Sequence, residues 1–547
     1  MSILLSPPLE YSNVSALFKA TAKAYAKRPF LNILFETAKA YNIPSGEISY
    51  GSIQTAASIL YKAYKHAGYG HGHRVGILLE NRPEFFEHWL ALNALGVSIV
   101  PINPELRTAE LEYLISHSEM ILAVALPNRH DDLNKAAPDG LVVISANDTI
   151  PMAIHTARTG KISHNTEAAL LYTSGTTGLP KGCVLTNAYF LNCGQWYRDV
   201  GGYCEIFETR PNGEGERMIT PLPLFHMNAL ACSSLGMMAV GGCVSFLDRF
   251  HPRSWWASVA QSEASIIHYL GVMPAMLMGA QPSAEDTAHC VRFGFGAGVD
   301  RALHAPFEKR YGFPLIEAWA MSETGDGAVI AASEDPRHVG TNCFGTPSKD
   351  IEVKLVTDDG QTAPIGTHGE LLVRGAGEDP KFGFFDRYLK NPQATAEAWE
   401  GGWFHTGDIA CENQDGSFTF IDRKKNVIRR SGENIAAVEV ENALLQHEEI
   451  EAIAIAATPD SVRGDEVFAL VVSKGRAGSQ AFAEDIVRYS LSHLAYYKAP
   501  GYIAFVDSLP LTSTNKIKRG DLKALVATLV TSKDTHNVCK LKKRTTK

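Results

Sequence analysis

The sequence contains no CxxC pair and no excess of basic residues, and each absence excludes a class of protein. Its nine cysteines are scattered through 547 residues, which argues against a disulfide framework or a structural zinc site and favours a reducing compartment. The 51 Lys and Arg residues against 59 Asp and Glu residues give a net charge of −8, which provides no overall attraction to nucleic acid or to an anionic membrane. We therefore expect a cytoplasmic protein that does not bind nucleic acid.

We also expect no secretory signal, because residues 1–12 (MSILLSPPLEYS) do not combine a basic region with a sustained apolar stretch. Residues 227–247 carry no charge and are long enough to cross a bilayer. Their serines and the Gly241–Gly242 pair instead indicate a buried helix, a turn and a strand, so we expect no integral membrane span. Residues 540–547 (KLKKRTTK) form a basic run that predicts a solvated, disordered end.

The order of periodic segments predicts an α/β fold with more than one domain. Residues 74–101 show a strand, helix, strand order, which favours parallel sheets. We predict a large N-terminal domain, residues 1–421, in which mixed and parallel sheets are sandwiched by helices. Short strands separated by DDG and QDG turns predict a β subdomain over residues 347–421. Residues 422–547 are predicted to form a small, mobile α+β domain.

The segment with the most chemical information is residues 171–182, LYTSGTTGLPKG. Glycines permit tight curvature, so that backbone N–H groups can surround phosphate oxygens, while the hydroxyls add donors and Lys181 adds positive charge. The GxxxxGK[ST] spacing of a Walker A loop is absent. A flexible Gly/Ser/Thr linker is the alternative, but an apolar strand before the loop and a lysine after it favour a phosphate site.

TSGTTGLPKG closely resembles the phosphate-binding signature of the adenylate-forming superfamily, which includes acyl-CoA synthetases, nonribosomal peptide adenylation domains and beetle luciferases. Further signatures of that superfamily follow in its order across nearly the whole chain, as far as Lys516. Residues 388–398 and 432–442 look most like bacterial carnitine/crotonobetaine-CoA ligases and their relatives. The resemblance implies a large N-terminal domain, a small mobile C-terminal domain, and ATP, Mg²⁺ and coenzyme A as cofactors or cosubstrates.

The resemblance assigns roles to residues in each signature of the large domain. His226 lies beside the acyl pocket, Trp319 stacks on adenine, and Glu323 holds Mg²⁺. Asp408 binds the ribose hydroxyls. The remaining nucleotide contacts are the phosphate loop and two short turns, namely Thr173, Ser174, Gly175, Thr176, Thr177, Lys181, Gly296, Ala297 and Ser322.

The C-terminal signatures supply the other implied roles. Arg423 reaches the ribose or the α-phosphate, Lys425 occupies the interdomain hinge, and Gly432 lets the pantetheine arm of coenzyme A pass close to the backbone. Lys516 takes the place of the catalytic lysine. Without the resemblance, His226 is more typical of a core or loop residue, and Lys516 is an ordinary surface lysine.

The sequence departs from the superfamily pattern at four positions. Trp319 replaces tyrosine but keeps a π face, and Ser322 replaces threonine but keeps the hydroxyl. Ala437 stands where a proline is usual, which puts the rigidity of that loop in doubt. Asn515 replaces glycine, and asparagine tolerates positive φ better than most residues.

These positions imply an AMP-forming acid–thiol ligase, which converts a carboxylic acid into an acyl-AMP and then into an acyl-CoA thioester. The alternative is a free-standing adenylation enzyme that passes the acyl group to a carrier protein, and a luciferase-like oxygenase or a catalytically dead binding protein is a weaker rival. Residues predicted to line the acyl pocket are mostly apolar or aromatic: Trp196, His226, Val272, Met273, Phe295 and Trp319. Such a lining suits an aliphatic or aromatic acyl group, and aromatic faces also suit a quaternary ammonium group, so the sequence does not identify the carboxylic acid. It does not determine the oligomeric state either, and a homodimer is one possibility.

Overall fold

The computed structural model describes residues 5–104, 106, 108–137, 141–173, 180–210, 214–423, 427–430, 433–460, 464–494, 496–512 and 516–542. Helices and strands alternate along most of the chain. The α-helices are α1 Val14–Ala24, α2 Phe35–Tyr41, α3 Tyr50–His66, α4 Pro83–Asn93, α5 Thr108–Ser118, α6 His130–Ala136, α7 Asn187–Asp199, α8 Ser234–Val240, α9 Trp255–Ser262, α10 Val272–Met278, α11 Arg301–Tyr311, α12 Pro392–Ala398, α13 Ala437–Leu444, α14 Gln480–His493 and α15 Arg519–Leu529.

The strands form four separate sheets. In chain order they are β1 Pro29–Ile33, β2 Gly46–Ser49, β3 Arg74–Leu78, β4 Ser98–Pro101, β5 Leu122–Ala125, β6 Val142–Ile144, β7 Glu167–Thr173, β8 Lys181–Thr186, β9 Arg217–Thr220, β10 Cys243–Phe246, β11 Ile266–Leu270, β12 Phe293–Ala297, β13 Leu315–Trp319, β14 Ile330–Ala331, β15 Cys343–Gly345, β16 Ile351–Val356, β17 His368–Gly375, β18 Arg387–Tyr388, β19 Phe404–Glu412, β20 Phe418–Arg423, β21 Val427–Arg430, β22 Glu433–Ala436, β23 Ile450–Asp460, β24 Gly464–Ser473, β25 Tyr502–Phe505 and β26 Thr535–Asn537.

Two large sheets dominate the first part of the chain. The eight-stranded sheet has the order β14-β13-β12-β11-β9-β10-β1-β2 and is parallel except at its two edges. The seven-stranded sheet has the order β18-β8-β7-β4-β3-β5-β6 and is parallel from β7 to β6. Apart from Arg74 and Ser98 at their first positions, its central strands β3, β4 and β5 are buried apolar runs, as expected for parallel strands covered on both faces. The predicted α/β class is confirmed.

The β-rich region and the C-terminal region each have their own sheet. Strands β15 to β17, β19 and β20 form a five-stranded antiparallel sheet in the order β15-β20-β19-β17-β16. Strands β21 to β26 belong to a six-stranded sheet, in which β23 pairs with β24. The hydrophobic core of the C-terminal region packs α14 against this sheet and includes the buried residues Ile453, Val471, Phe482 and Ile486. The domain boundary at residue 422 stays a prediction.

Residues 227–247 are buried helix and strand, as the sequence predicts. A π-helix, Asn228–Ser233, leads directly into α8. Gly241 then adopts a left-handed conformation with φ 66°, which glycine accepts without steric strain, and β10 follows. Nowhere in the described ranges is there a helix with both the length and the apolar character that crossing a membrane requires.

Part of the basic C-terminal run is buried, which corrects the expectation of a solvated end. The Lys542 side chain is 0% exposed and its ammonium pairs with Glu466, whose carboxylate also accepts from Arg430 Nε at 2.9 Å. Burial lowers the pKa of Lys542 to about 8. The sequence could not show this contact because the two partners are 76 residues apart, and a run of lysines by itself indicates only solvation.

Candidate active site

One edge of the eight-stranded sheet gathers several of the residues that the sequence singled out. Strands β9, β11, β12 and β13 are parallel, so their carboxyl ends meet at the same edge, where ligands of open α/β sheets bind. Gly296 and Ala297 end β12, and Trp319 ends β13. His226 lies in the segment after β9, and Glu323 lies four residues beyond Trp319.

Trp319 and Asp408 are in direct contact although they are 89 residues apart. The Trp319 indole Nε1–H donates to Asp408 Oδ2 at 2.9 Å, and the bond is buried. Asp408 lies on β19 and is 3% exposed. Trp319 is 6% exposed and its ring is tilted 36° to that of Phe344, with centroids 6.2 Å apart. The indole therefore fixes the position of the carboxylate to which the sequence assigns the ribose hydroxyls.

Replacing Trp319 by phenylalanine should raise the KM for ATP about tenfold and leave kcat within about threefold. The substitution keeps an aromatic face but removes the N–H donor to a charged acceptor, a hydrogen bond worth roughly 1.5 kcal/mol or more. Initial rates over a range of ATP concentrations check this. Trp256→Phe, which replaces another buried indole, is the control, and an unchanged KM for ATP in the Trp319 variant contradicts the assignment.

Glu323 is buried at this edge and is held by a residue that the sequence analysis did not single out. The Tyr388 hydroxyl donates to Glu323 Oε1 at 2.9 Å, and the N–H of Phe385 donates to the Glu323 carbonyl at 2.8 Å. Lys181 Nζ lies 4.6 Å from the centre of the Tyr388 ring. Tyr388 thus joins the lysine that follows the phosphate loop to the carboxylate assigned to Mg²⁺.

His226 lies outside the hydrophobic core. Its side chain is exposed, yet it lies deep enough that burial, together with the nearby Lys516 ammonium, lowers its pKa to about 4. The imidazole is therefore neutral at neutral pH. Lys516 is also exposed, and two hydrogen bonds with Thr512 hold its backbone in a turn. The last signature of the sequence thus lies close to the acyl-pocket histidine.

The turn after β12 is shaped by packing within the protein. A Cβ on Gly296 would lie 2.3 Å from the carbonyl oxygen of Tyr269 on β11, so glycine is required there whether or not a ligand binds. Glu317 of β13 accepts from the N–H groups of Gly298 and Val299 at 2.9 and 2.8 Å. The sequence analysis did not single out Glu317. The feature that could have identified it is a carboxylate inside an otherwise apolar strand, LIEAW.

Of the other predicted site residues, the structure describes some and leaves the rest outside the described ranges. Thr173 ends β7 and pairs with Lys181 on β8, and the rest of the predicted phosphate loop lies between them in the sequence. Ser322 is half-buried, and its carbonyl accepts from the Tyr189 hydroxyl at 3.0 Å. Arg423 is paired through its backbone with Asp408, and its side chain lies outside the described residues. Ser174, Gly175, Thr176, Thr177, Lys425, Gly432 and the Val272 side chain also lie outside them.

Comparison with known proteins shows the family to which the chain belongs. The AMP-binding enzyme family matches residues 18–378, which is more than half of the chain, and the AMP-binding enzyme C-terminal domain matches residues 439–516. The crotonobetaine/carnitine–CoA ligase of Salmonella arizonae is 27% identical over 511 residues, covering 89% of this chain and 96% of the relative. The enzyme of the same name from Shigella flexneri is 29% identical over 474 residues, covering 83% and 88%.

Solved structures show the same fold. The o-succinylbenzoate CoA synthetase of Bacillus subtilis, solved with its acyl-adenylate intermediate, has a TM-score of 0.77 at 23% identity and covers 94% of this chain and 98% of its own. An anthranilate CoA ligase in complex with anthranoyl-AMP has a TM-score of 0.79 at 22% identity, covering 95% and 98%. The sequence-based assignment to the adenylate-forming superfamily is confirmed, and the chain belongs to the AMP-binding enzyme family.

Proposed function

We propose that this enzyme is an AMP-forming carboxylate:CoA ligase, with the site residues in the roles that the sequence assigns to them. The observation that carries the proposal is the position of Lys516, whose ammonium lies near enough to His226 to add to the effect of burial in lowering the imidazole pKa. A cation from the last signature thus lies near a histidine at the carboxyl edge of the parallel strands. That arrangement suits a reaction in which negative charge develops on phosphate oxygens beside a bound acyl group.

The first half-reaction makes a carboxylate reactive, because oxide is too poor a leaving group for direct thioester formation. A carboxylate oxygen attacks the α-phosphorus of ATP, and pyrophosphate leaves. Lys516 stabilises the charge that builds on the phosphate oxygens, with Lys181 near the departing group. Neutral His226 lies beside the acyl group without adding charge. Asp408, held by Trp319, accepts hydrogen bonds from the ribose hydroxyls.

The residues present fit a magnesium ion at Glu323. A carboxylate oxygen is the ligand type that Mg²⁺ prefers when it binds together with nucleotide phosphates. Glu323 is 7% exposed, and its partner Tyr388 is neutral, so no cation among the described hydrogen-bond partners competes for it. When bound, Mg²⁺ would neutralise phosphate charge and so favour departure of pyrophosphate.

In the second half-reaction the thiolate of coenzyme A attacks the acyl carbon and AMP leaves. Lys516 then occupies space that the thiol arm needs, so the C-terminal domain, residues 422–547, rotates against residues 1–421 about Lys425. Gly432 then lines the path of the pantetheine arm. No cysteine is assigned a nucleophilic role, because the adenylate is itself the activated acyl donor.

The relatives favour coenzyme A over a carrier protein as the acceptor, because those named above are CoA ligases matched over most of both chains. Their names also make crotonobetaine, carnitine and similar zwitterionic acids the first substrates to test. We place the enzyme in the cytoplasm, where ATP and CoA are available. A measurement of its molecular mass in solution would show whether it forms a homodimer.

Carboxylate-dependent release of AMP and pyrophosphate with Mg-ATP, measured with and without CoA, tests the proposed function. The acids run from acetate to octanoate and include benzoates, cinnamates and carnitine-type zwitterions. The expected result is turnover that needs both an acid and CoA and yields an acyl-CoA thioester. Pyrophosphate release at full extent without a thioester indicates a different acceptor, and no release with any acid contradicts the ligase.

A further inference from the structure

One helix contacts both ends of the predicted phosphate loop. Tyr172 lies just before that loop and Pro180 near its end, with residues 173–179 between them in the sequence. The Tyr113 hydroxyl of α5 donates to the Pro180 carbonyl at 2.9 Å. One turn further along α5, His117 Nδ1 and the Tyr172 hydroxyl form a hydrogen bond of 2.8 Å. Two side chains of one helix therefore hold the chain on both sides of the loop.

The two α5 side chains and Tyr172 form one packed group of rings. Tyr113 and His117 are four residues apart and so share a face of the helix. Their rings stack, with centroids 5.2 Å apart and planes 23° from parallel. The Tyr172 ring meets both of them nearly edge-on, at 82° to Tyr113 and 74° to His117, an arrangement that aromatic rings favour. A shift of any one ring would therefore disturb the other two.

The Tyr172 ring is also fixed from β8. Tyr172 pairs with Gly182 in the β7–β8 ladder, and a Cβ on Gly182 would lie 3.3 Å from Tyr172 Cζ, so glycine leaves room for the ring. Burial, together with the Lys390 ammonium, lowers the pKa of His117, and burial raises the pKa of Tyr172. The hydrogen bond between these two side chains therefore joins neutral groups at neutral pH.

Packing alone does not fix the α5 side chains, because they line a cavity. Tyr113 and His117 are half-buried, and beside them lies a cavity of about 710 Å³ that Lys135 and Lys390 also line. A side chain at a cavity wall has no packing partners on that side. The hydrogen bonds to Pro180 and Tyr172 are therefore needed to keep the two rings, and the chain they hold, in one position.

We propose that Tyr113 and His117 are positioning residues, which hold the phosphate loop where it contacts the β- and γ-phosphates of ATP. The inference rests on the proposed ligase function, in which Lys181, at the end of the loop, lies near the departing pyrophosphate. AMP and the acyl-adenylate carry neither of those two phosphates. Loss of either α5 contact therefore weakens the binding of ATP and of pyrophosphate and leaves the binding of AMP and the thioester step unchanged.

Binding of Mg-ATP and of AMP to Tyr113→Phe, measured by calorimetry without acid or CoA, tests the inference. The variant keeps the ring and removes only the hydroxyl that donates to Pro180. The Kd for Mg-ATP should rise about tenfold, as expected when a hydrogen bond that orders a binding loop is lost, and the Kd for AMP should stay within about twofold. AMP is the internal control, because a general defect of the nucleotide site would weaken both ligands.

His117→Phe gives the same comparison through the other end of the loop. It keeps an aromatic ring for stacking and removes the nitrogen that contacts Tyr172, so it should also weaken Mg-ATP and leave AMP unchanged. Tyr50→Phe is the matched control, since the Tyr50 hydroxyl also donates to a backbone carbonyl, that of Gly242 at 2.7 Å, in the buried core. Its ratio of the two Kd values should equal that of the wild type. Thermal unfolding of each variant measures any loss of stability separately.

The two reactions of the acyl-adenylate distinguish positioning from a loss of active enzyme. Pyrophosphate converts it back into ATP and the free acid, and coenzyme A converts it into the thioester and AMP. The probe is the synthetic acyl-AMP of the acid that the wild type turns over fastest. In both α5 variants the KM for pyrophosphate should rise about tenfold, while thioester formation stays within about twofold of the wild-type rate.

Three results overturn the inference and leave the ligase in place: an unchanged affinity for Mg-ATP in both α5 variants, an equal loss of affinity for Mg-ATP and AMP, or an equal loss of rate with pyrophosphate and coenzyme A. Either α5 variant is sufficient for the comparison, because each removes one contact. If the wild type turns over no acid, the proposed function fails, and the binding of Mg-ATP and AMP, which requires no acid, still decides the inference.

Discussion

Replacing Lys516 by alanine should slow acyl-adenylate formation by about 100- to 1000-fold, the loss typical when one preorganised group that stabilises transition-state charge is removed. In the proposed mechanism the ammonium stabilises charge that develops on the phosphate oxygens, and a water molecule at the same position carries no charge to replace it. The effect should appear in kcat and kcat/KM together, because the interaction is made in the transition state.

The proposed mechanism makes this prediction specific to one half-reaction. In that mechanism Lys516, next to the isolated bridge between Leu511 and Ile517, acts near His226 during adenylate formation and moves away for the thioester step. Lys516→Ala should therefore form acyl-CoA from a supplied acyl-adenylate and CoA at a rate within about threefold of the wild type, because the group that it lacks plays no part there.

Two assays separate these outcomes: ATP-dependent pyrophosphate release for the first half-reaction, and thioester formation from synthetic acyl-AMP for the second. Lys523→Ala is the matched control, since Lys523 is exposed on α15 and has no assigned role. An equal loss of rate in both half-reactions would contradict the prediction that Lys516 acts only in adenylate formation, and would indicate a general structural role for this residue.

Local patterns were sufficient to predict several of the helices and strands. The strand, helix, strand order over residues 74–101 corresponds to β3, α4 and β4, because hydrophobic period and chain direction together limit the topology. The uncharged residues 227–247 are helix and strand, because the Gly241–Gly242 pair breaks the helix. Glycine placement and periodicity are local properties, and the sequence displays them directly.

Contacts between distant residues were not predictable from one sequence. The bond from Trp319 to Asp408 spans 89 residues and that from Tyr388 to Glu323 spans 65, so no periodicity or spacing connects the partners. A resemblance names residues that a family shares, whereas these contacts depend on how this chain packs.

Glu323→Gln should lower kcat/KM for ATP by about 100-fold or more and raise the Mg²⁺ concentration needed for half-maximal activity. The amide keeps the shape and still accepts a hydrogen bond from Tyr388, but it removes the charge that a hard cation requires from its ligand. Titration of pyrophosphate release with Mg²⁺ at fixed ATP measures both effects. Glu378→Gln, at an exposed position, is the matched control.

Tyr388→Phe tests whether Tyr388 positions Glu323 without itself binding the metal. It leaves the Glu323 charge intact and removes only the hydroxyl that donates to Oε1 at 2.9 Å, so the expected loss is about tenfold, the lower end for partners that orient metal ligands. Raising Mg²⁺ should restore part of the activity in both variants, because a weakened site is filled by mass action. A loss in Glu323→Gln that no Mg²⁺ concentration changes would show that this carboxylate supports the loop after β13 and does not hold the metal.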